Sequence, residues 1–261
     1  MTNRTLLLPA LIIILSLFAF KHWKQVAKPR ILVFSKTAAY RHESISAGKA
    51  ALIKLGRENG FIVDTTENEN YFQEDSLKRY SAVVFLNTTG NILNSPQQIS
   101  FERFIQAGGG YVGIHAAADT EYDWPWYGKL AGGYFQSHPK IQDASMDVRN
   151  RNHPSTKHLS EKWLKKDEWY NYKELNPEIN VLINLDEKSY EGGTNGDSHP
   201  IAWFHEFDGG RAFYTGMGHT NESYTDVTYL KHLLGGINYA IGNNIKLNYA
   251  KAKTPGVPEE N

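Results

Sequence analysis

Short apolar runs alternate with amphipathic segments through the first half of the chain. The runs cover residues 31–34, 61–64, 82–86 and 111–114, and we interpret them as strands. The first is continuously apolar, as in a strand buried on both faces of a parallel sheet. Between them, apolar residues at helical spacing predict helices over residues 44–59 and 95–105. The first helix ends at Asn59-Gly60 and the second begins at Ser95-Pro96, which are ordinary stop and start signals. The order β-α-β-β-α-β predicts an α/β fold with a doubly wound, mostly parallel sheet.

The second half of the chain places most of its strands one after another, without helices between them. Candidate strands cover residues 141–148, 167–172, 181–185, 199–206 and 211–215, and the last two are joined by a turn at Asp208-Gly209-Gly210. This pattern adds an antiparallel β-region to the parallel sheet. Apolar residues at helical spacing predict a last helix over residues 224–241. The aromatic segment 122–127 is interpreted as a loop, either a lid over a pocket or a packed surface segment.

The two ends of the chain are predicted to lie outside the folded domain. Arg4 precedes an apolar run over residues 6–20, which is shorter than the ~20 residues of a comfortable spanning helix. No convincing cleavage site follows the run, so a signal peptide and an uncleaved membrane anchor both remain open for residues 1–28. Either one predicts an exported protein, periplasmic or anchored to the membrane and facing outside the cytoplasm. The folded domain is predicted over residues 29–250, followed by a disordered tail over residues 251–261.

Composition and charge exclude several classes of function. Lys+Arg and Asp+Glu are equal at 28 each, so there is no basic field to hold nucleic acid. The sequence has no cysteine, which excludes disulfides, thiolate metal sites and a cysteine nucleophile. The expected partner is therefore a small molecule, and contact with a membrane is expected only through the N-terminal segment. The sequence leaves the oligomeric state open.

Two histidines come directly after predicted strands, each beside small residues. His115 follows Gly113-Ile114 and precedes three alanines, and His219 follows Gly216-Met217-Gly218. Ligands of open α/β sheets bind beyond the carboxyl ends of the strands, and an imidazole titrates near neutral pH. Both residues are therefore candidates for general acid-base catalysis. The alternative is a histidine that only makes backbone hydrogen bonds at a strand end.

Other polar and aromatic residues are expected at the same edge of the sheet. Glu168 and Asp119 join His115 and His219 as catalytic candidates, because burial can raise a carboxyl pKa toward neutrality. Six residues are candidates for binding substrate: Tyr40, His42, Glu43, Asn87, Trp169 and Tyr170. Together these groups would suit a hydroxyl-rich ligand such as a sugar. His42 and Glu43 also precede a helix, and they could act there only as caps or as a pair.

Several separate motifs in the right order resemble the ThuA-like (trehalose utilisation) family, and the resemblance covers nearly all of residues 30–241. The motifs are Phe34-Ser35-Lys36-Thr37 with Tyr40-Arg41-His42-Glu43, residues 109–119, Asp167-Glu168-Trp169-Tyr170, and the stretches 200–203 and 210–220. The resemblance implies a fold like that of the class I glutamine amidotransferases, which is flavodoxin-like. Those relatives carry a cysteine at a sharp strand-to-helix elbow. Here His115 occupies that elbow, and because an imidazole cannot form the thioester, amidotransferase activity is excluded.

Three functions remain open at this point. The first is an enzyme that acts on a glycoside or a keto-disaccharide, the substrate class that the resemblance implies, by histidine acid-base catalysis without a cofactor. The second is a hydrolase in which a divalent metal such as zinc is held by two or three of His42, His115, His138 and His219 together with a carboxylate. No local ligand spacing supports this site, so it depends on convergence of these residues in space. The third is a sugar-binding protein without activity.

Overall fold

The computed structural model describes residues 27–242 and 246–256, which form one large sheet, a small ribbon and five α-helices. The strands of the large sheet are β1 (Arg30–Phe34), β2 (Ile62–Thr66), β3 (Ala82–Leu86), β4 (Gly110–Ile114), β6 (Gln142–Val148), β7 (Lys162–Asp167), β9 (Asn180–Leu185), β10 (His199–Phe207) and β11 (Gly210–Thr215). The ribbon pairs β5 (Tyr134–Ser137) with β8 (Asn171–Lys173). The helices are α1 (Ile45–Asn59), α2 (Glu74–Leu77), α3 (Ser95–Gln106), α4 (Pro125–Ala131) and α5 (Val227–Ile241).

The large sheet has a parallel half and an antiparallel half. Its strand order is β2-β1-β3-β4-β11-β10-β9-β6-β7. The strands from β2 to β11 are parallel, and each later neighbour in the order pairs antiparallel. The predicted mostly parallel α/β sheet with an added antiparallel region is confirmed. The antiparallel region continues the same sheet because β10 pairs with both β11 and β9.

Helices cover both faces of the parallel half, as two neighbouring residues of β4 demonstrate. A Cβ at Gly110 would lie 2.2 Å from the carbonyl oxygen of Ala240, so α5 packs directly against the backbone on that face. The next residue, Tyr111, points to the other face, where its ring lies 6.5 Å from Phe101 of α3 and 6.0 Å from Tyr127 of α4. The sheet is therefore doubly wound, and its buried strands form the centre of the core.

The predicted ends of the helices agree with local chemistry in the structure. Gly60 ends α1 in the left-handed region at φ 80°. Asn94 and Gln97 form a capping box at the start of α3, with Pro96 in the first turn. The side chain of Asp226 accepts hydrogen bonds from the backbone N–H groups of residues 228 and 229, so α5 begins at Val227 rather than at residue 224.

Several elements differ from the sequence prediction: α2 and β5 were not predicted, and two predicted segments have a different structure. The predicted aromatic loop contains α4, because Pro125 can open a helix and the side chains of Tyr127 and Leu130 are buried on one side of it. The strand predicted over residues 167–172 is instead β7 and β8, separated by residues 168–170. β7 itself alternates exposed and buried positions and begins at Lys162, before the start of the predicted strand.

The predicted terminal segments lie largely outside the described residues. Residues 1–26 hold most of the predicted signal peptide or anchor, and residues 257–261 hold the end of the predicted disordered tail. In the described part of that tail, the backbone N–H groups of Lys253 and Thr254 donate to Oε1 of Gln106. Among the described helices, none has the length and apolar character needed to cross a bilayer.

Candidate functional site

The carboxyl ends of the parallel strands deliver three imidazoles to one place. His42 lies in the loop after β1, His115 follows β4, and His219 follows β11. The carboxylate of Glu168 joins them from the chain directly after β7. One ligand atom from each of these four residues lies within 4.8 Å of the other three. The predicted convergence of His115, His219 and Glu168 is therefore present, and His42 lies with them.

His115 is held at the end of β4 in a backbone conformation that few side chains adopt. Its φ is 48°, in the left-handed region, which costs a non-glycine residue about 1–2 kcal/mol. A short 3₁₀ helix, His115–Ala118, begins at this residue, and the ring is fully buried. This is the strained strand-to-helix elbow that the resemblance to the amidotransferases implies, with an imidazole at its tip.

The hydrogen bonds of His115 fix which ring nitrogen is free. Nδ1 lies 2.8 Å from the carbonyl oxygen of Gly216, and because a carbonyl only accepts, Nδ1 carries the proton and donates. In the neutral ring, Nε2 then presents a lone pair. The Nε2 atom lies 3.1 Å from Nδ1 of His219 and 3.3 Å from Oε2 of Glu168. The Nε2 lone pair of His115 and the Oε2 oxygen of Glu168 are both acceptors. At 3.3 Å they require a proton or a cation between them.

Glu168 joins the imidazoles of the site. Oε2 lies 3.0 Å from Nδ1 of His219, and Oε1 lies 3.1 Å from Nδ1 of His138. Burial alone would raise the pKa of this carboxyl group, but the contacts with His115 and His219 outweigh it and hold the pKa well below its usual value. Burial lowers the pKa of His219, whereas the Glu168 carboxylate raises it, and the net pKa is raised. The buried carboxylate is therefore ionised.

His42 completes the cluster as a neutral ring. Its centroid lies 4.9 Å from that of His115 and 5.0 Å from that of His219, and both contacts are edge-on. Burial, followed by the charges of the neighbouring imidazoles, lowers the pKa of His42 to about 3. Its Nδ1 is buried and has no hydrogen-bond partner among the described residues. A buried imidazole nitrogen without a partner is expected where a ligand completes a site.

The donor set fits a divalent transition metal ion. The donor atoms of His115, Glu168 and His219 are separated by 3.0, 3.1 and 3.3 Å, and the donor atom of His42 lies within 4.8 Å of all three. A tetrahedral site with metal–ligand bonds of about 2.0–2.1 Å has ligands roughly 3.3 Å apart. Imidazole and carboxylate are the ligands that zinc and related ions prefer. His115 also donates its other nitrogen to a carbonyl, as metal-bound histidines usually do.

The cluster lies at the floor of a cleft of about 430 Å³. Its lining residues combine aromatic rings with titratable groups, and they are Tyr40, His42, Asp119, Phe135, His138, Glu168, Tyr170 and His219. The ring of Tyr170 packs 4.2 Å from His115 and 4.3 Å from Phe135, measured between centroids. Tyr40 is largely exposed at the rim. Aromatic faces beside polar groups suit a sugar ring with its hydroxyl groups.

Asp119 is the carboxyl group of the cleft that lies outside the cluster. Its Oδ1 accepts a 2.6 Å hydrogen bond from the hydroxyl of Tyr122. Burial raises the pKa of Asp119 despite this hydrogen bond and the nearby imidazoles. A carboxyl group with a raised pKa is suited to transferring protons near neutral pH. The structure thus places this predicted catalytic residue beside the cluster.

Three predicted substrate-binding residues do not reach the cleft. Trp169 is fully buried and donates to the carbonyl oxygen of Gln142, and it is not among the residues that line the cleft. Asn87 is also fully buried. Its amide donates to Ser44 Oγ and to the Gly218 carbonyl, so it links the loop before α1 to the loop after β11. Glu43 is exposed and does not line the cleft, although its charge raises the pKa of His219.

His138 lies at the rim instead of in the donor cluster. Its side chain is 43% exposed, and Nδ1 contacts Glu168 Oε1 and the carbonyl oxygen of Pro139. Of the four histidines considered as metal ligands, it is therefore the one that the cluster omits. Phe135 lines the cleft from β5 and is not among the predicted site residues. The only signal for it was its place between the Gly132-Gly133 pair and His138.

The chain resembles proteins of known structure over most of its length. The sequence profile of the ThuA family, trehalose utilisation, matches residues 30–240. A protein described as ThuA-like from Bacteroides uniformis is 27% identical, with a TM-score of 0.73 over 87% of this chain and 97% of the other. Another from Parabacteroides merdae is 21% identical, with a TM-score of 0.70 over 89% of this chain and 94% of the other, a likeness of fold alone. No curated protein matches the chain.

Proposed function

The chain belongs to the ThuA family, trehalose utilisation. From this membership and from the cluster of four donor residues we propose that it is a metal-dependent enzyme of carbohydrate breakdown. His42, His115, Glu168 and His219 hold a divalent metal ion such as zinc. The substrate is a keto-disaccharide or a related keto-glycoside, and Asp119 carries protons during the reaction. The apolar run near the N-terminus favours action outside the cytoplasm.

One observation carries the proposal: three imidazoles and a carboxylate, from four separate loops, bring their donor atoms within 4.8 Å of one another. Such a group is costly to assemble without a cation. His115 occupies a strained backbone conformation there, and His42 has a buried nitrogen without a partner among the described residues. Coordination of a metal by these residues accounts for both features.

The cleft favours a sugar whose polar groups reach the floor and whose ring faces aromatic walls. Tyr40, Phe135 and Tyr170 line it together with Asp119 and three of the four cluster residues. A volume of about 430 Å³ lies within the range of small-molecule sites, roughly 300–1,000 Å³. The mixture of walls and floor suits a neutral, hydroxyl-rich ligand, and the trehalose utilisation family gives the carbohydrate class.

A ketone in the sugar ring makes elimination possible without a protein nucleophile. A divalent ion held by His42, His115, Glu168 and His219 would supply Lewis-acid chemistry at the ketone oxygen, which would make the adjacent C–H bond more acidic. The carboxylate of Asp119 takes that proton, a C=C bond forms, and the neighbouring glycosidic C–O bond breaks. The departing oxygen keeps the electron pair of the broken bond and accepts the proton from Asp119. The products are an unsaturated keto-sugar and an alcohol, so no oxidant or reductant is needed.

A second candidate is metal-free acid-base catalysis by His219. The observation in its favour is the 3.0 Å contact between His219 Nδ1 and Glu168 Oε2, in which the carboxylate raises the pKa of the imidazole. A protonated His219 could then act as a general acid. This mechanism leaves the partnerless Nδ1 of His42 unexplained, which is why we place it second.

Turnover of a panel of 3-keto-disaccharides by the full-length protein separates these functions. The metal mechanism predicts that chelator abolishes turnover, that zinc or another divalent ion restores it, and that Glu168→Gln removes it. His138→Ala is the matched control, because it removes a cleft imidazole outside the four-donor cluster and should keep the metal response. Turnover unaffected by chelator but lost in His219→Ala would favour metal-free catalysis. Sugar binding without turnover in any metal would identify a binding protein.

A further inference from the structure

We propose that Asp167 is a positioning residue whose buried carboxylate holds Glu168 and His219 in the geometry that binds the metal. The inference rests on the proposed metal site, but its structural part can be tested without metal. Asp167 precedes Glu168 in the chain and is fully buried at the end of β7. It does not belong to the cluster of donor atoms, so any effect on metal binding must pass through its neighbours.

All four lone-pair positions of the carboxylate are used. Oδ1 accepts from the backbone N–H groups of Glu168 at 3.0 Å and His219 at 3.1 Å. Oδ2 accepts from the backbone N–H of Gly218 at 3.0 Å and from the hydroxyl of Ser223 at 2.8 Å. A carboxylate offers about four acceptor positions, so this one side chain ties the loop after β11 to the residue that supplies the carboxylate ligand.

The rest of that loop is held through its carbonyl groups. The carbonyl of Gly216 accepts from His115, that of Met217 from the Tyr229 hydroxyl, and that of Gly218 from the Tyr224 hydroxyl. The N–H groups of Gly218 and His219 depend instead on Asp167. Removing this acceptor would leave two donors unpaired in a buried place, so we expect the loop to move and carry His219 away from Glu168.

The charge of Asp167 is balanced by a lysine that it shares with a second carboxylate. Lys165 Nζ lies 3.7 Å from Asp167 Oδ2 and 3.7 Å from Asp226 Oδ2. Asp226 caps α5 by accepting from the backbone N–H groups of residues 228 and 229, whereas the N–H groups of Gly218 and His219 donate to Asp167. Asp226 therefore provides a matched control. Asp226→Asn removes a carboxylate from the same lysine and leaves the hydrogen bonds between Asp167 and the loop after β11 in place.

The test compares zinc affinity of the wild type, Asp167→Asn and Asp226→Asn by competition with a chromophoric chelator. In Asp167→Asn an amide NH₂ replaces one oxygen and faces N–H or O–H donors. We expect its zinc dissociation constant to rise about 10- to 100-fold, as is typical when a group supporting a ligand is lost. Asp226→Asn should remain within about threefold of wild type. Equal weakening in both variants, or no weakening in Asp167→Asn, would overturn the proposal.

A metal-free readout separates this inference from the proposed function. The ¹H–¹³C signals of the His219 ring in chelator-treated protein should shift in Asp167→Asn and not in Asp226→Asn. If wild type binds no zinc, the proposed metal site fails, and these signals alone decide whether Asp167 positions His219. If Asp167→Asn does not fold, through-hydrogen-bond NMR couplings from the Gly218 and His219 amides to the Asp167 carboxyl carbon in wild type decide instead. Their absence would refute the positioning role.

Discussion

Acidification should destabilise the protein through His232, a histidine on α5 that lies outside the cleft. Its ring is fully buried between Trp163, Phe213 and Tyr229, and Nδ1 donates to the carbonyl oxygen of Ser155. Burial lowers its pKa to about 3, and the charges of His158 and His153 act in the same direction. The folded state therefore keeps this imidazole neutral over a range in which the unfolded chain protonates it.

The sign and size follow from proton linkage. Because the folded-state pKa lies below the unfolded value of about 6.5, the unfolded state binds more protons between these limits. Stability contributed by the neutral ring is complete above pH 6.5 and falls as the pH decreases. Each pH unit below 6.5 costs about 1.4 kcal/mol, so at pH 5 the loss is about 2 kcal/mol.

Urea unfolding at pH 8 and pH 5 measures this loss against a matched variant. His232→Asn retains an N–H that can donate to Ser155 and has no titrating group at position 232. The free energy of unfolding of wild type should fall by about 2 kcal/mol more than that of the variant between the two pH values. Chelator in every sample removes the linkage from metal binding, and other histidines cancel in the difference. Parallel pH profiles for the two proteins would refute the reasoning.

Three further predictions concern the cleft and the core. Asp119→Asn should lower kcat by about 100-fold or more while metal binding is retained, because proton transfer is lost. Steady-state kinetics and metal analysis check the two effects. A kcat equal to that of wild type would exclude Asp119 as the group that transfers the proton. Tyr40→Ala should raise KM about five- to tenfold, since an exposed aromatic platform is worth about 1 kcal/mol, with no change in Tm, and an unchanged KM would contradict that contact. Gly110→Ala should lower the free energy of unfolding by at least about 2 kcal/mol, because its Cβ would meet the Ala240 backbone at 2.2 Å, and a neutral effect in urea unfolding would contradict that packing.

The parallel half of the fold could be predicted because its signals are local. Residues 82–86 form an uninterrupted apolar run, and this run is β3. The Ser95-Pro96 start signal and the glycine after α1 mark the ends of helices where the structure has them. The strand-end positions of His115 and His219 follow from the same local pattern, which is why sequence reasoning placed them at one edge of the sheet.

The membership of the four-donor cluster could not be derived from local signals. Its four residues come from separate loops, and from the sequence His42 and His138 were both only possible ligands. The structure distinguishes them, because His42 is buried against His115 and His219 whereas His138 is exposed at the rim. Trp169 lies outside the cleft because the turn after β7 points Glu168 into the cleft and buries the following indole.

The most direct test of the metal site is the number of zinc ions bound by the full-length protein, purified without a polyhistidine tag. After chelator treatment and reloading, wild type should bind about one equivalent tightly, and His138→Ala should do the same. Glu168→Gln should bind zinc at least tenfold more weakly, because it loses the anionic ligand. If wild type binds no zinc, manganese, cobalt or nickel at micromolar concentrations, or if Glu168→Gln binds zinc as tightly as wild type, the metal site proposed here is contradicted.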